Sequence, residues 1–141
     1  MQSNFVRSTR SIMNVSSKAL GRRGEIIAKN YLQKKGYQIL AQNYIPKWIK
    51  KGRVEVDIVV KKGRTIIFVE VKSLSGNNNF LPEDKINFQK QRNIKKAAES
   101  YLLENKIPLD SKWQIDVISI IIDADSQKAR VRHFENIDIC P

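Results

Sequence analysis

The chain has 141 residues, 41% hydrophobic and 28% charged, with a net charge of +12, which suits one globular domain with a single core and excludes a disordered chain. One cysteine, Cys140, and one histidine, His133, exclude an internal disulfide, a thiolate zinc cluster and a histidine-rich site, and no apolar run approaches the roughly 18 residues of a membrane span. The charge is uneven, balancing +11 over residues 1–53, +3 over 54–100 and −2 over 101–141, so the first third carries the electrostatic footprint of a protein that meets a polyanion.

Residues 1–17 are polar and rich in Ser, Asn and Arg. They read as a flexible basic tail without the apolar segment of a secretory signal, so the expectation is an untargeted, cytoplasmic protein with one domain over 18–141. From Lys18 to Lys35 the apolar positions Leu20, Ile27, Ala28, Tyr31 and Leu32 recur at helical spacing, and Gly36 supplies a stop. Tyr37 to Tyr44 reads as a short strand, followed by a basic loop with Pro46, Lys47, Trp48, Lys50, Lys51 and Arg53. Strands at 54–61 and 65–72 flank Lys62-Gly63-Arg64, a tight hairpin. A Gly/Asn-rich loop from Ser73 ends in Pro82-Glu83-Asp84, which starts a helix over 85–105 with an apolar stripe at Ile86, Ile94, Ala97, Ala98, Tyr101 and Leu102. Strands at 113–122 and 129–134 complete the order α-β-β-β-α-β-β.

With thiols and histidines set aside, chemistry rests on carboxylates, Lys, Tyr and Ser. Glu70 and Lys72 end an apolar strand two residues apart and so share a face. Asp57 lies within the preceding apolar run, Val54 to Val60. Charged side chains are rarely buried unless paired or bound to a metal, and two acids with a lysine on neighbouring strands can hold a hard cation beside a water. Glu25, the lone acid of residues 1–53, lies in line with Ala28 and Leu32 at the edge of the buried helix face. It serves equally well as a first-turn acid favoured by the helix dipole. Lys90 falls midway between Ile86 and Ile94 on the inward stripe, with Gln91 beside it, although a lysine there can also snorkel to solvent. Glu55 reads as an exposed strand start, Asp116 as a structural hydrogen-bonding partner, and Tyr31, Phe68, Tyr101 and Trp113 as core. Trp48, set among lysines, is the better candidate for stacking on a base.

In the order Glu25, Asp57, Glu70, Lys72 the chain resembles the PD-(D/E)XK nuclease superfamily and, within it, the YraN-type uncharacterised bacterial family. The resemblance spans about residues 18–137. It rests on Leu20-Gly21-Arg22-Arg23-Gly24-Glu25 with Ala28, Tyr31 and Leu32, on Gly36 to Leu40 with Asn43-Tyr44, on Glu55-Val56-Asp57-Ile58-Val59, and on Phe68-Val69-Glu70-Val71-Lys72. Pro82-Glu83, Lys90, Ala97 to Leu102 and Asp116-Val117 continue it. Two positions depart from the pattern: Val54 replaces a glycine and Leu74 an arginine, and the second loses a basic group near the site. The resemblance implies a restriction-endonuclease-like α/β fold, a mixed central sheet flanked by helices, and Mg2+- or Mn2+-dependent hydrolysis of phosphodiesters. It implies metal ligation by Asp57, Glu70 and the Val71 carbonyl, with Glu25 at the metal directly or through water and Lys72 acting on water and phosphate. Arg22, Arg23, Lys47, Trp48, Lys50, Lys51, Arg53, Lys90 and Gln91 would grip the nucleic acid with little sequence preference, DNA ahead of RNA. No membrane partner is expected, and a dimer stays open. The alternative is a non-catalytic nucleic-acid-binding accessory protein on the same fold.

Overall fold

The computed structural model describes residues 17–49, 54–76 and 87–137. The tail over 1–16, Lys50, Lys51, Arg53, Cys140 and the helix start at Pro82-Glu83-Asp84 lie outside the described residues. Ser17, the last position assigned to the tail, opens the first helix instead.

Helix α1 (Ser17–Lys34) ends where the pattern requires. Gly36 takes φ +90°. The Gly36 N–H then bonds to Gln33 O (3.1 Å) and the Tyr37 N–H to Leu32 O (3.0 Å), the Schellman closure that a residue without Cβ permits. Strand β1 (Gln38–Tyr44) follows, then β2 (Val56–Lys62) and β3 (Thr65–Ser75). A two-residue turn joins β2 to β3, and Gly63 at φ +62° supplies its left-handed position. Helix α2 (Phe88–Glu104) is capped by Asn87, whose Oδ1 accepts the Lys90 N–H at 2.9 Å. Strands β4 (Trp113–Ile122) and β5 (Ala129–Phe134) keep their expected bounds.

The sheet runs β1-β2-β3-β4-β5, antiparallel except for the central β3–β4 pair, which is parallel. A parallel pair needs a crossover, and α2 provides it. Apolar residues alternate along the strands and split into two cores. Ala28 and Leu32 of α1 pack on Ile58, Val60, Ile67, Val69, Val71, Ile118 and Ile120. Ile94, Ala97, Ala98, Tyr101 and Leu102 of α2 pack on Val59, Ile66, Phe68 and Ile115. The result is an α/β fold of three layers, with one helix on each face of a mixed sheet.

Glycine decides one contact. A Cβ on Gly24 would stand 1.7 Å from Ser73 Oγ and 3.0 Å from its Cβ, so with glycine here α1 lies this close to β3 without displacing the Ser73 side chain. That approach carries the neighbouring Glu25 toward Glu70, whose charge raises its proton affinity.

Candidate metal centre

The β2–β3 ladder begins at Ile58↔Val69. Beyond that pair Asp57 replaces a strand carbonyl with its side chain, and its Oδ2 accepts the Val71 N–H at 2.7 Å. This sets the carboxyl group beside Glu70, to which it can donate only when protonated. Val69 and Val71 face α1 and Phe68 faces α2, so alternation puts Glu70 and Lys72 on the α2 side. There Lys90, from the first turn of α2, meets them.

Glu70 is only 2% exposed. Its Oε2 lies 3.1 Å from Lys90 Nζ and 3.6 Å from Lys72 Nζ, while its Oε1 is buried with no hydrogen-bond partner. Both ammonium groups therefore sit on one oxygen and leave the other without a donor. Burial, then the hydrogen bond and repulsion from Glu70, push the Asp57 carboxyl up to about 9, against the opposing pull of the Val71 N–H. Two neighbouring acids, one of them buried, resist ionising together, and a cation between them relieves that repulsion. The donors are all oxygen, the set that suits a hard cation such as Mg2+ or Mn2+, and the orphaned Glu70 Oε1 is the atom such an ion would satisfy.

Glu25 approaches from the α1 side. Burial, Glu55 and Glu70 together raise its affinity for protons. With Asp57 and Glu70 it does not make a set of three whose ligand atoms all lie within 4.8 Å of one another, so the three do not close on a single point. Asn43, at the end of β1, holds Glu25: with its amide oriented to suit both neighbours, Nδ2 donates to Glu25 Oε1 (2.9 Å) and Glu55 Oε1 (3.0 Å). Asn43 has φ +51°, a left-handed backbone that asparagine tolerates better than most residues. Glu55 is thus half-buried and tied to Glu25 rather than simply an exposed strand start. Sequence reasoning missed the role of Asn43. Its backbone signal, a turn-forming residue between β1 and the loop, was there to be used.

The proposed grip on nucleic acid divides. Arg22 and Lys47 are exposed. Arg23 is latched to the β4–β5 turn, its Nη1 donating to Gln127 Oε1 at 2.7 Å, so it braces α1 instead of standing free. Lys90 belongs to the carboxylate centre, as its place on the stripe suggested, and Gln91 lies beside it half-buried. Trp48 is 56% exposed, and its indole N–H donates to Ser100 Oγ.

A second polar cluster lies across the sheet. Among the described residues Asp116, His133 and Glu135 form the set whose potential ligand atoms lie within 4.8 Å of one another. Hydrogen bonds account for its buried members, as expected for Asp116. Asp116 Oδ1 accepts from Gln114 Nε2 (2.8 Å) and the Asn136 N–H (2.9 Å), Oδ2 meets His133 Nε2 (2.7 Å), and His133 Nδ1 meets the Tyr31 hydroxyl (3.0 Å). With Nε2 as the protonated nitrogen, every one of these groups is satisfied without a cation. The network ties α1 to β4 and β5.

No helix among the described residues is long and apolar enough to cross a membrane. The profile of the Uncharacterised protein family UPF0102 matches residues 24–120, which include Glu25, Asn43, Asp57, Glu70, Lys72 and Lys90. A UPF0102 protein of Chlorobium limicola is 41% identical over 122 residues, covering 82% of this chain and 88% of its own. One from Clostridium beijerinckii is 36% identical over 124 residues, covering 88% and 96%. A third, from Alkaliphilus oremlandii, is 35% identical over 120 residues, covering 85% and 97%. With the family profile spanning most of the domain and relatives matching along nearly their whole length, the chain belongs to the UPF0102 (YraN) family, whose coarser placement is the PD-(D/E)XK superfamily.

Proposed function

We propose that this protein is a metal-dependent nuclease that hydrolyses phosphodiester bonds, with Asp57 and Glu70 as ligands of one Mg2+ or Mn2+. The observation that carries the reading is the buried Glu70 carboxylate, with two lysines on Oε2, an unpartnered Oε1 and the raised Asp57 carboxyl as a neighbour. A purely structural ion pair leaves no such orphan, because an unsatisfied buried oxygen costs about 1–3 kcal/mol.

The chain's own groups divide the work. Asp57, fixed by the Val71 N–H, and Glu70, fixed by Lys90, present two preset oxygens, and the Val71 carbonyl adds a third. A bound divalent ion would lower the pKa of a water and polarise the phosphate. Lys72, 30% exposed and only loosely paired at 3.6 Å, can swing its ammonium to the scissile phosphate and the attacking water. Lys90, held closer at 3.1 Å, keeps Glu70 in place. Glu25, held by Asn43, can receive a proton from water. Arg22 and the basic run at Lys47, Lys50, Lys51 and Arg53 hold backbone phosphates with little base reading.

The test is cleavage of labelled linear, flapped and four-way DNA and RNA with Mg2+ or Mn2+ by wild type, Asp57→Asn and Lys72→Ala. Wild type should cut and both variants should not, while Asp57→Asn should bind at least as well by losing a repulsive charge. Binding without cleavage on every substrate would favour the accessory-protein reading, and equal cleavage by Asp57→Asn would place the site elsewhere.

A further inference from the structure

We propose that Trp48 is a stacking platform for an unpaired base, so that the nucleic acid bound here carries a single-stranded stretch next to the carboxylate centre. The inference rests on the nucleic-acid reading above and narrows it. An indole left 56% exposed normally moves freely, but this one is fixed. Its N–H donates to Ser100 Oγ at 2.5 Å, and the turn that carries it is pinned to the same end of α2. Tyr44 Oη donates to Glu104 Oε1 (2.8 Å), the Lys47 N–H to Glu104 Oε2 (3.0 Å), and the Ile49 N–H closes the turn on Pro46 O (3.1 Å). Trp113, by contrast, is half-buried and packs edge-on against Phe68 at 5.7 Å. One tryptophan stabilises the core, while the other presents its ring to solvent in a set orientation.

The charge of the segment identifies the occupant. In sequence, residues 47–53 include Lys47, Lys50, Lys51 and Arg53 and no acid. Protein interfaces deplete charge around their aromatic anchors, whereas a fixed aromatic among cations is the pattern that binds single strands. From Ser100 the exposed Lys96 and Arg92 follow at steps of four residues on one row of α2. The row runs along α2 toward the helix end that carries Lys90, on a more exposed face than Lys90 itself. Ten residues of helix separate Ser100 from Lys90, about 15 Å, which corresponds to roughly four nucleotides at stacked spacing. Inside a duplex each base face is already covered by its neighbours. An outside ring can stack only on a base that is unpaired or displaced.

The experiment uses full-length Asp57→Asn with Trp113→Phe, in which Trp48 is the only tryptophan. A single strand of about 12 nucleotides should quench its fluorescence, and a covalently closed, relaxed circular duplex, which has neither ends nor loops, should not. Adding Trp48→Ala should weaken single-strand binding roughly five- to a hundred-fold and leave duplex binding unchanged, with Trp48→Phe recovering most of the loss. In a flapped substrate, one abasic position about four nucleotides from the scissile phosphate should mimic Trp48→Ala. Unchanged emission with single strands, or equal single-strand affinity for Trp48→Ala, would overturn the platform and leave the nuclease reading standing. Self-association that Trp48→Ala abolishes would assign the ring to a protein interface instead. Failure to bind any nucleic acid would overturn both readings.

Discussion

Asp57→Asn should stabilise the metal-free protein, although it removes a residue of the site. In the folded state the Asp57 carboxyl is pushed up to about 9 from 3.8, first by burial and then by Glu70. Between those values the unfolded chain has lost the proton and the fold retains it, so folding binds a proton and stability falls as pH rises. At pH 7 the gap of roughly 3 units corresponds to about 4 kcal/mol relative to acid, and coupling to Glu70 spreads part of that over the pair. Asparagine is neutral throughout, its oxygen can still accept the Val71 N–H, and its amide can donate to Glu70. The variant should therefore gain about 2–4 kcal/mol at pH 7, a rise in Tm of roughly 5–15 °C, which shrinks toward pH 4 and levels off above pH 9. The assay is thermal melting of both proteins in chelator from pH 5 to 9, read as the difference between them so that other titrations cancel. Saturating Mg2+ should restore wild type and leave the variant unmoved, because only wild type carries the full ligand set. A difference that is independent of pH, or a variant less stable than wild type at pH 8, would refute the reasoning.

Other changes test neighbouring parts of the account. Lys90→Ala leaves the buried Glu70 with its distant lysine alone and should destabilise the fold by about 2 kcal/mol in urea titration; Lys90→Arg should recover part of that. Gly24→Ala forces a methyl group onto Ser73 Oγ and should cost about 1–3 kcal/mol by the same measurement. Nucleic-acid affinity should fall steeply with salt. Neutralising Lys47, Lys50, Lys51 and Arg53 together should lower the magnitude of the log–log slope by roughly 3, and an unchanged slope would show that these cations do not meet phosphate.

The site was legible where local pattern and chemistry agree. Glu70 and Lys72 share a face because strands alternate, and Asp57 stood out as a charge inside an apolar run. Lys90 was readable as a polar residue on an apolar stripe, though only the packing of α2 on the sheet gives it Glu70 as partner. What the sequence hid depends on contacts between distant residues. Asn43 bridges residues 25 and 55, and no spacing rule links those three positions. Arg23 looked like a free cation until Gln127, 104 residues away, took it. His133 was set aside because a lone histidine makes no histidine-rich site, yet the fold brings it between Asp116 and Tyr31. Strand bounds were clearest for β4, a long apolar run, and β5, a short alternating segment. β3 runs on to Ser75 because pairing with β4 extends it past Lys72 through residues that carry little strand signal.

The central claim, that Asp57 and Glu70 together hold one divalent cation, is tested most directly by calorimetric titration of Mn2+ into wild type, Asp57→Asn, Glu70→Gln and Lys72→Ala. The account predicts one site in wild type, proton release on binding that diminishes as pH approaches 9, loss of that site in both carboxylate variants, and near-unchanged affinity in Lys72→Ala. Equal Mn2+ binding by wild type and Asp57→Asn would contradict it.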